Sequence, residues 1–83
     1  MALYMDVHNS LPEGATAADV AGAHAADLQV QERFGVSYLR YWVDETGGKV
    51  FCLVEAPNAD AAHAVHREAH GLLADEIYPV QQG

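Results

Sequence analysis

Three histidines, His63, His66 and His70, stand at spacings of i, i+3 and i+7 within one segment of this 83-residue chain. On a helix those spacings place imidazoles on neighbouring turns of one face, close enough to share an ion. Neutral imidazole suits zinc, copper, nickel and iron, so the stripe points to a divalent transition metal without selecting one. The same residues also suit a solvated or core-edge helix face, and spacing alone does not separate the two readings. Glu68 excludes the zinc-protease helices. One motif places its glutamate directly after the first histidine and the other directly before the second, whereas Glu68 lies midway between His66 and His70.

His24 and His8 are further candidates. His24 lies on an apolar helical stripe, where a satisfied core histidine is the plainer reading. A helix packed alongside would bring it toward His63 or His66. His8 ends an N-terminal strand on the face of Tyr4 and Asp6, where it can join Asp6 or Glu55 or be an ordinary strand-end residue. Other chemistry is thin. The glycines form no phosphate loop, and Ser10 and Ser37 lack a nucleophile-elbow context. Arg40 and Glu55 share one face of adjacent strands. They could polarise a small substrate, but a cross-strand or cross-subunit ion pair is the simpler expectation. The lone Cys52 excludes an intrachain disulfide, and its parity with Val50 and Val54 makes it a buried strand residue.

The elements that must position these groups are legible from patterning. Ala2–Val7 reads as a strand with Leu3, Met5 and Val7 on one face and Tyr4, Asp6 and His8 on the other. Turn residues cluster in Asn9–Gly14. Thr16 then caps a helix over Ala17–Phe34, with Asp19 as the capping-box acid and Gly35 as the terminator. Its core-facing stripe is Ala17, Val20, Ala21, His24, Leu28 and Gln31. Val36–Asp44 and Lys49–Glu55 form a hairpin about Glu45-Thr46-Gly47-Gly48. Strict alternation puts Leu39, Tyr41, Val43, Val50, Cys52 and Val54 under the helices. Tyr38, Arg40, Trp42, Phe51, Leu53 and Glu55 then fall on the opposite face. A second helix starts at Asn58, with Ala61, Ala62, Val65, Ala69, Leu72 and Leu73 as its apolar face, unless Gly71 ends it early. Asp75–Val80 is a short last strand, with Pro79 marking an edge or end.

The order is β-α-β-β-α-β, a single α+β domain over residues 1–83 of the ferredoxin-like split βαβ type, with an antiparallel sheet and both helices on one face. A face carrying Trp42, Phe51 and Leu53 is too apolar to leave in water, and a chain this short has no element left to cover it. A homodimer through the open sheet face follows. The net charge of −8 lacks the basic footprint of a nucleic-acid binder and suits a host for cations. With no membrane-length apolar run and no secretory leader, a soluble cytoplasmic protein is expected.

The runs Tyr38–Asp44, Lys49–Pro57 and His66–Gly71, together with Ala23–Leu28, resemble a family of short bacterial proteins first defined as a domain of unknown function, one characterised type of which binds nickel. The resemblance spans Leu3 to Val80. It implies a ferredoxin-like homodimer holding nickel near the dimer surface, for sequestration or detoxification rather than catalysis. His66 and His70 fit the family pattern best and His24 next. His63 lies outside it. The expectation is therefore binding of Ni²⁺, or another divalent transition metal, through His66, His70 and His24, with His63 and His8 as further candidates, and metal-bridged assembly of dimers as a consequence. The alternative is a small dimeric α+β barrel enzyme, a cofactorless oxygenase or isomerase, with a pocket near His24, Arg40 and Glu55.

Overall fold

The capping residues act as the sequence predicts. In the computed structural model, which describes residues 2–83, Thr16 Oγ1 accepts from the Asp19 N–H at 3.3 Å, and Asp19 Oδ2 accepts from the Thr16 N–H at 2.9 Å. This capping box starts α1, Ala17–Val30. The helix then tightens into a 3-10 turn over Gln31–Phe34, which Gly35 closes at φ 67°. The second helix, α2, spans Ala59–Ala69, and Asn58 Oδ1 caps it by accepting from the Ala61 N–H at 2.8 Å. At its other end the N–H groups of His70 and Gly71 both donate to the His66 carbonyl, and Gly71 takes φ 77°. The left-handed glycine therefore stops the helix before Leu72 and Leu73. Both leucines, expected on its apolar face, are exposed instead.

Four strands, β1 (Ala2–His8), β2 (Ser37–Asp44), β3 (Lys49–Ala56) and β4 (Glu76–Pro79), form one antiparallel sheet in the order β2-β3-β1-β4. Pro79 lies on the edge strand, where a missing N–H is tolerated. Order and directions are consistent with the expected ferredoxin-like α+β arrangement. The core forms where the helices meet the sheet, from Val20, Val36, Val50, Val54, Ala62 and Val65 with their neighbours. Among the described residues, no helix is long and apolar enough to cross a membrane.

Two departures from simple periodicity shape what the core contains. The first is a bulge in β2: Tyr38 pairs with Val54 and Arg40 with Leu53, leaving Leu39 as the extra residue. Alternation restarts after it. Tyr41 and Val43 therefore keep the helix-facing parity predicted for them, while Tyr38 joins that face and Leu39 becomes exposed. The second is a rotation of α1 about its axis. Leu28 and Ala21, expected in its core stripe, face outward, and Val20 and Asp27 are the buried residues. Arg40 and Glu55 lie on the open face but are not opposite one another, since Arg40 pairs with Leu53 and Glu55 with Ser37. No ion pair joins them among the described residues.

Candidate metal centre

A strand, two helices and the bulged strand each contribute to a polar cluster inside the core. Asp6 comes from β1, where alternation directs it, with Tyr4 and His8, beneath the helices. Asp27 comes from α1 and His66 from α2. All three are buried, at 1%, 2% and 1% exposure. His66 is the hub: its Nδ1 lies 2.9 Å from Asp27 Oδ1 and its Nε2 lies 3.1 Å from Asp6 Oδ2. Tyr38 completes the cluster because of the bulge. Its hydroxyl donates to Asp6 Oδ2 at 2.8 Å, stands 3.0 Å from His66 Nε2 and lies 3.3 Å from the Ala62 carbonyl.

The outer members are two more histidines and a thiol. His70 Nδ1 accepts from the Leu72 N–H at 3.1 Å, so Nε2 is the nitrogen that carries its proton, 3.1 Å from Asp27 Oδ1. His8 Nε2 lies 3.4 Å from Asp6 Oδ1. That oxygen is fully buried and has no hydrogen-bond partner among the described residues. The donor atoms of Asp6, His8, Cys52 and His66 lie within 4.8 Å of one another, and those of Asp27, His66 and His70 form a second such group.

The electrostatics follow from burial opposed by pairing. Burial alone would raise the Asp6 carboxyl, but the His66, His8 and Tyr38 contacts outweigh it and hold the group well below the usual carboxylate range. Asp27 is likewise lowered, because hydrogen bonds from His66 and His70 overcome its desolvation. For His66 burial opposes the charge, yet the two carboxylates prevail and lift it to about 9. Burial and the nearby Asp6 carboxylate push the Tyr38 hydroxyl and the Cys52 thiol far up, so both stay protonated at neutral pH. The centre is therefore two carboxylates around an imidazolium.

The histidines singled out by spacing divide clearly. His66, His70 and His8 converge on the two aspartates. His24 stacks on Tyr41 with ring centroids 4.7 Å apart and belongs to neither ligand group. His63 also lies outside both groups. Sequence reasoning did not identify Asp27 or Tyr38 as members of the centre, and it read Cys52 only as a buried strand residue. For Asp27 a signal existed: it lies seven residues after Val20, a core spacing at which a charge needs a partner. Tyr38 carried none, because a bulge has no reliable single-sequence signature.

Beside the cluster, between α1, the sheet and the loop before α1, opens a pocket of about 290 Å³ to which His8, His24, Asp27, Cys52, His66 and His70 contribute. Arg40 and Glu55, placed near such a pocket by the enzyme alternative, are on the opposite face of the sheet and do not line it. Leu11 from the loop anchors the rim by donating its N–H to the Gly48 carbonyl at 2.8 Å.

Residues 4–80 match the model of a family described as "Nickel responsive protein SCO4226-like". Among solved structures, the chain is similar to SCO4226 from Streptomyces coelicolor A3(2), known from its crystal structure. The two are 39% identical, the alignment covers 99% of each chain, and the TM-score is 0.90. No curated protein sequence matches the chain.

Proposed function

Since the chain belongs to the SCO4226-like nickel responsive protein family, we propose that its buried Asp–His centre binds a divalent transition metal, nickel first, and that the protein sequesters metal rather than catalysing a reaction. The observation that carries this reading is Asp6 Oδ1. A fully buried carboxylate oxygen without a donor is costly to leave unsatisfied, and here it faces imidazole and thiol donors gathered within 4.8 Å. A cation there would satisfy it. Carboxylate oxygen with imidazole nitrogen suits nickel, zinc and copper.

The two ligand groups are not equivalent. At Asp27 both imidazoles direct N–H groups to the carboxylate, which is how outer residues orient a ligand histidine through its second nitrogen. Asp27 thus orients His66, and His70 holds Asp27. The metal side is the Nε2 side of His66, with Asp6 and His8 as further ligands and the Cys52 thiol as the member that must first lose its proton. Because His66 holds a proton up to about pH 9, binding at neutral pH releases one, and affinity falls as pH drops.

Nickel calorimetry in buffers of different ionisation enthalpy tests this. Micromolar or tighter binding with proton release, lost in His66→Ala and weakened less in His70→Ala, is the expected result. Equal affinity at mildly acidic and mildly alkaline pH would sink it. The open sheet face belongs to the same reading. Its exposed Trp42 and Tyr78 flank Met5, Phe51 and Leu53, a surface suited to a second copy of the chain. Light scattering with and without nickel would report both the dimer and metal bridging of dimers.

A further inference from the structure

The pocket and the metal side share their residues. His8, Cys52 and His66, three of the four donors gathered around Asp6 Oδ1, also line the 290 Å³ pocket, and Asp6 itself does not. A site built only to hold its ion is closed by protein donors on every side, whereas one that admits a further ligand keeps a side open. Here the open side is the pocket. Its volume exceeds the space of several waters, at about 30 Å³ each.

The rest of the wall suits an organic body. Leu11, Val20, Val50 and Leu72 line it. So does Tyr41, whose ring is backed by His24 with centroids 4.7 Å apart. Such a wall offers little to ordered water and fits the small end of ligand pockets. The lining carries both signs, since Asp27, Glu13 and Asp19 stand with four histidines, so wall charge does not select the occupant. The metal side does. Asp6 and Asp27 already match the charge of a divalent ion, so a further donor need bring none. An added anion would meet those two carboxylates with Glu13 and Asp19 close by.

We infer that this pocket holds a small neutral nitrogen heterocycle as a co-ligand of the metal. Its ring nitrogen joins the donors of His8, Cys52 and His66, and its apolar frame lies against Val20, Tyr41 and Leu72. The inference rests on the metal reading above and names its cargo, a metal–heterocycle complex rather than a bare ion. Neutral ring nitrogen is the donor type that imidazole already supplies, and it suits nickel, zinc and copper.

The test titrates the full chain at mildly alkaline pH with nickel alone and with nickel plus each of three isosteres. 4-Phenylimidazole offers a donor nitrogen, 2-phenylpyrrole keeps the shape without a free lone pair, and phenylacetate is an anion. With 4-phenylimidazole present, calorimetry corrected for the complex formed in solution should show nickel bound about tenfold tighter, and the visible absorption bands of bound nickel should shift. By linkage, nickel should tighten the heterocycle by the same factor. The pyrrole and phenylacetate should change neither. Ala23→Trp, which fills the pocket and removes no donor, should keep the affinity for nickel alone and lose the gain. If that variant does not fold, the three isosteres on the wild type still decide. Nickel binding that 4-phenylimidazole leaves unchanged, or an equal gain from the pyrrole, would overturn this proposal and leave the metal reading standing. No nickel binding with or without the heterocycle would overturn both.

Discussion

The two faces of the sheet reverse the usual distribution of charge and oil. Beneath the helices lie Asp6, Asp27 and His66, nearly inaccessible to water and bonded to one another. On the side without helices lie Trp42 at 49% exposure and Tyr78 at 48%, with Met5, Phe51 and Leu53 between them. Burying an ion pair costs desolvation that apolar residues of similar volume would avoid, so such clusters are weak devices for stability. Here the cluster retains an unsatisfied oxygen as well, which suits a site that gains its last partner from a ligand. The open face carries the opposite lesson. Its apolar side chains do nothing for the isolated chain, and they become useful when another surface covers them.

The contrast breaks most readily at the hub. His66→Ala leaves Asp6 and Asp27 buried without their shared cation, and loss of about 3–5 kcal/mol in chemical denaturation is expected. Tyr38→Phe removes one donor from Asp6 and keeps the ring, so a smaller loss of about 1–3 kcal/mol is expected by the same measurement.

The pH dependence of stability should show both sides of the same network. His66 is raised from an ordinary 6.5 to about 9. Its contribution is therefore fully present below pH 6.5 and is lost as pH rises through about 9. Asp6 and Asp27 are lowered from an ordinary 3.8. Their contribution is present above that value and lost as pH falls below it. Denaturation midpoints should be highest between roughly pH 4 and 6.5, and a midpoint that climbs steadily to pH 9 would contradict the imidazolium.

The open face should respond differently. Trp42→Glu should alter unfolding of the chain by only about 0.5 kcal/mol while abolishing any dimer seen by sedimentation. The smallest effect is expected from His63→Ala, within about 0.5 kcal/mol in stability and without change in nickel affinity. A nickel site lost in that variant would move the ligand set outward along α2.

How much of this was legible depended on the range of the interaction concerned. Thr16 with Asp19, Asn58 and Gly35 act within a few residues of themselves, so the starts of both helices and the end of the first helical segment followed from local chemistry. The end of the second was left open between Gly71 and Leu73, and Gly71 closes it. His66 and His70 stood out because helical spacing is also local. Strand alternation grouped Asp6 with Tyr4 and His8 and made the joining of His8 to Asp6 visible. It did not say which face lies beneath the helices, and Glu55, the other partner offered for His8, lies on the opposite face. Leu28 was misplaced because hydrophobicity ranks it above Asp27, whereas the helix turns to satisfy Asp27 with the imidazoles of His66 in α2 and His70 at its C-terminal cap. Leu39 and Tyr38 exchanged places because one bulged residue resets the alternation.

The sequence by itself determined the order of elements, their caps, the acidic balance and the helix that carries the histidines, because each rests on periodicity or on contacts between near neighbours. The tertiary structure alone decided that Asp6, Asp27, Tyr38 and His66 form one centre. Asp6 and His66 are 60 positions apart in the chain, and whether a buried carboxylate has a partner depends on which elements pack against it. No local rule carries that information. The bulge and the rotation of α1 supply it, by placing the polar atoms, Asp6 Oδ1 excepted, where the others can offset their loss of water.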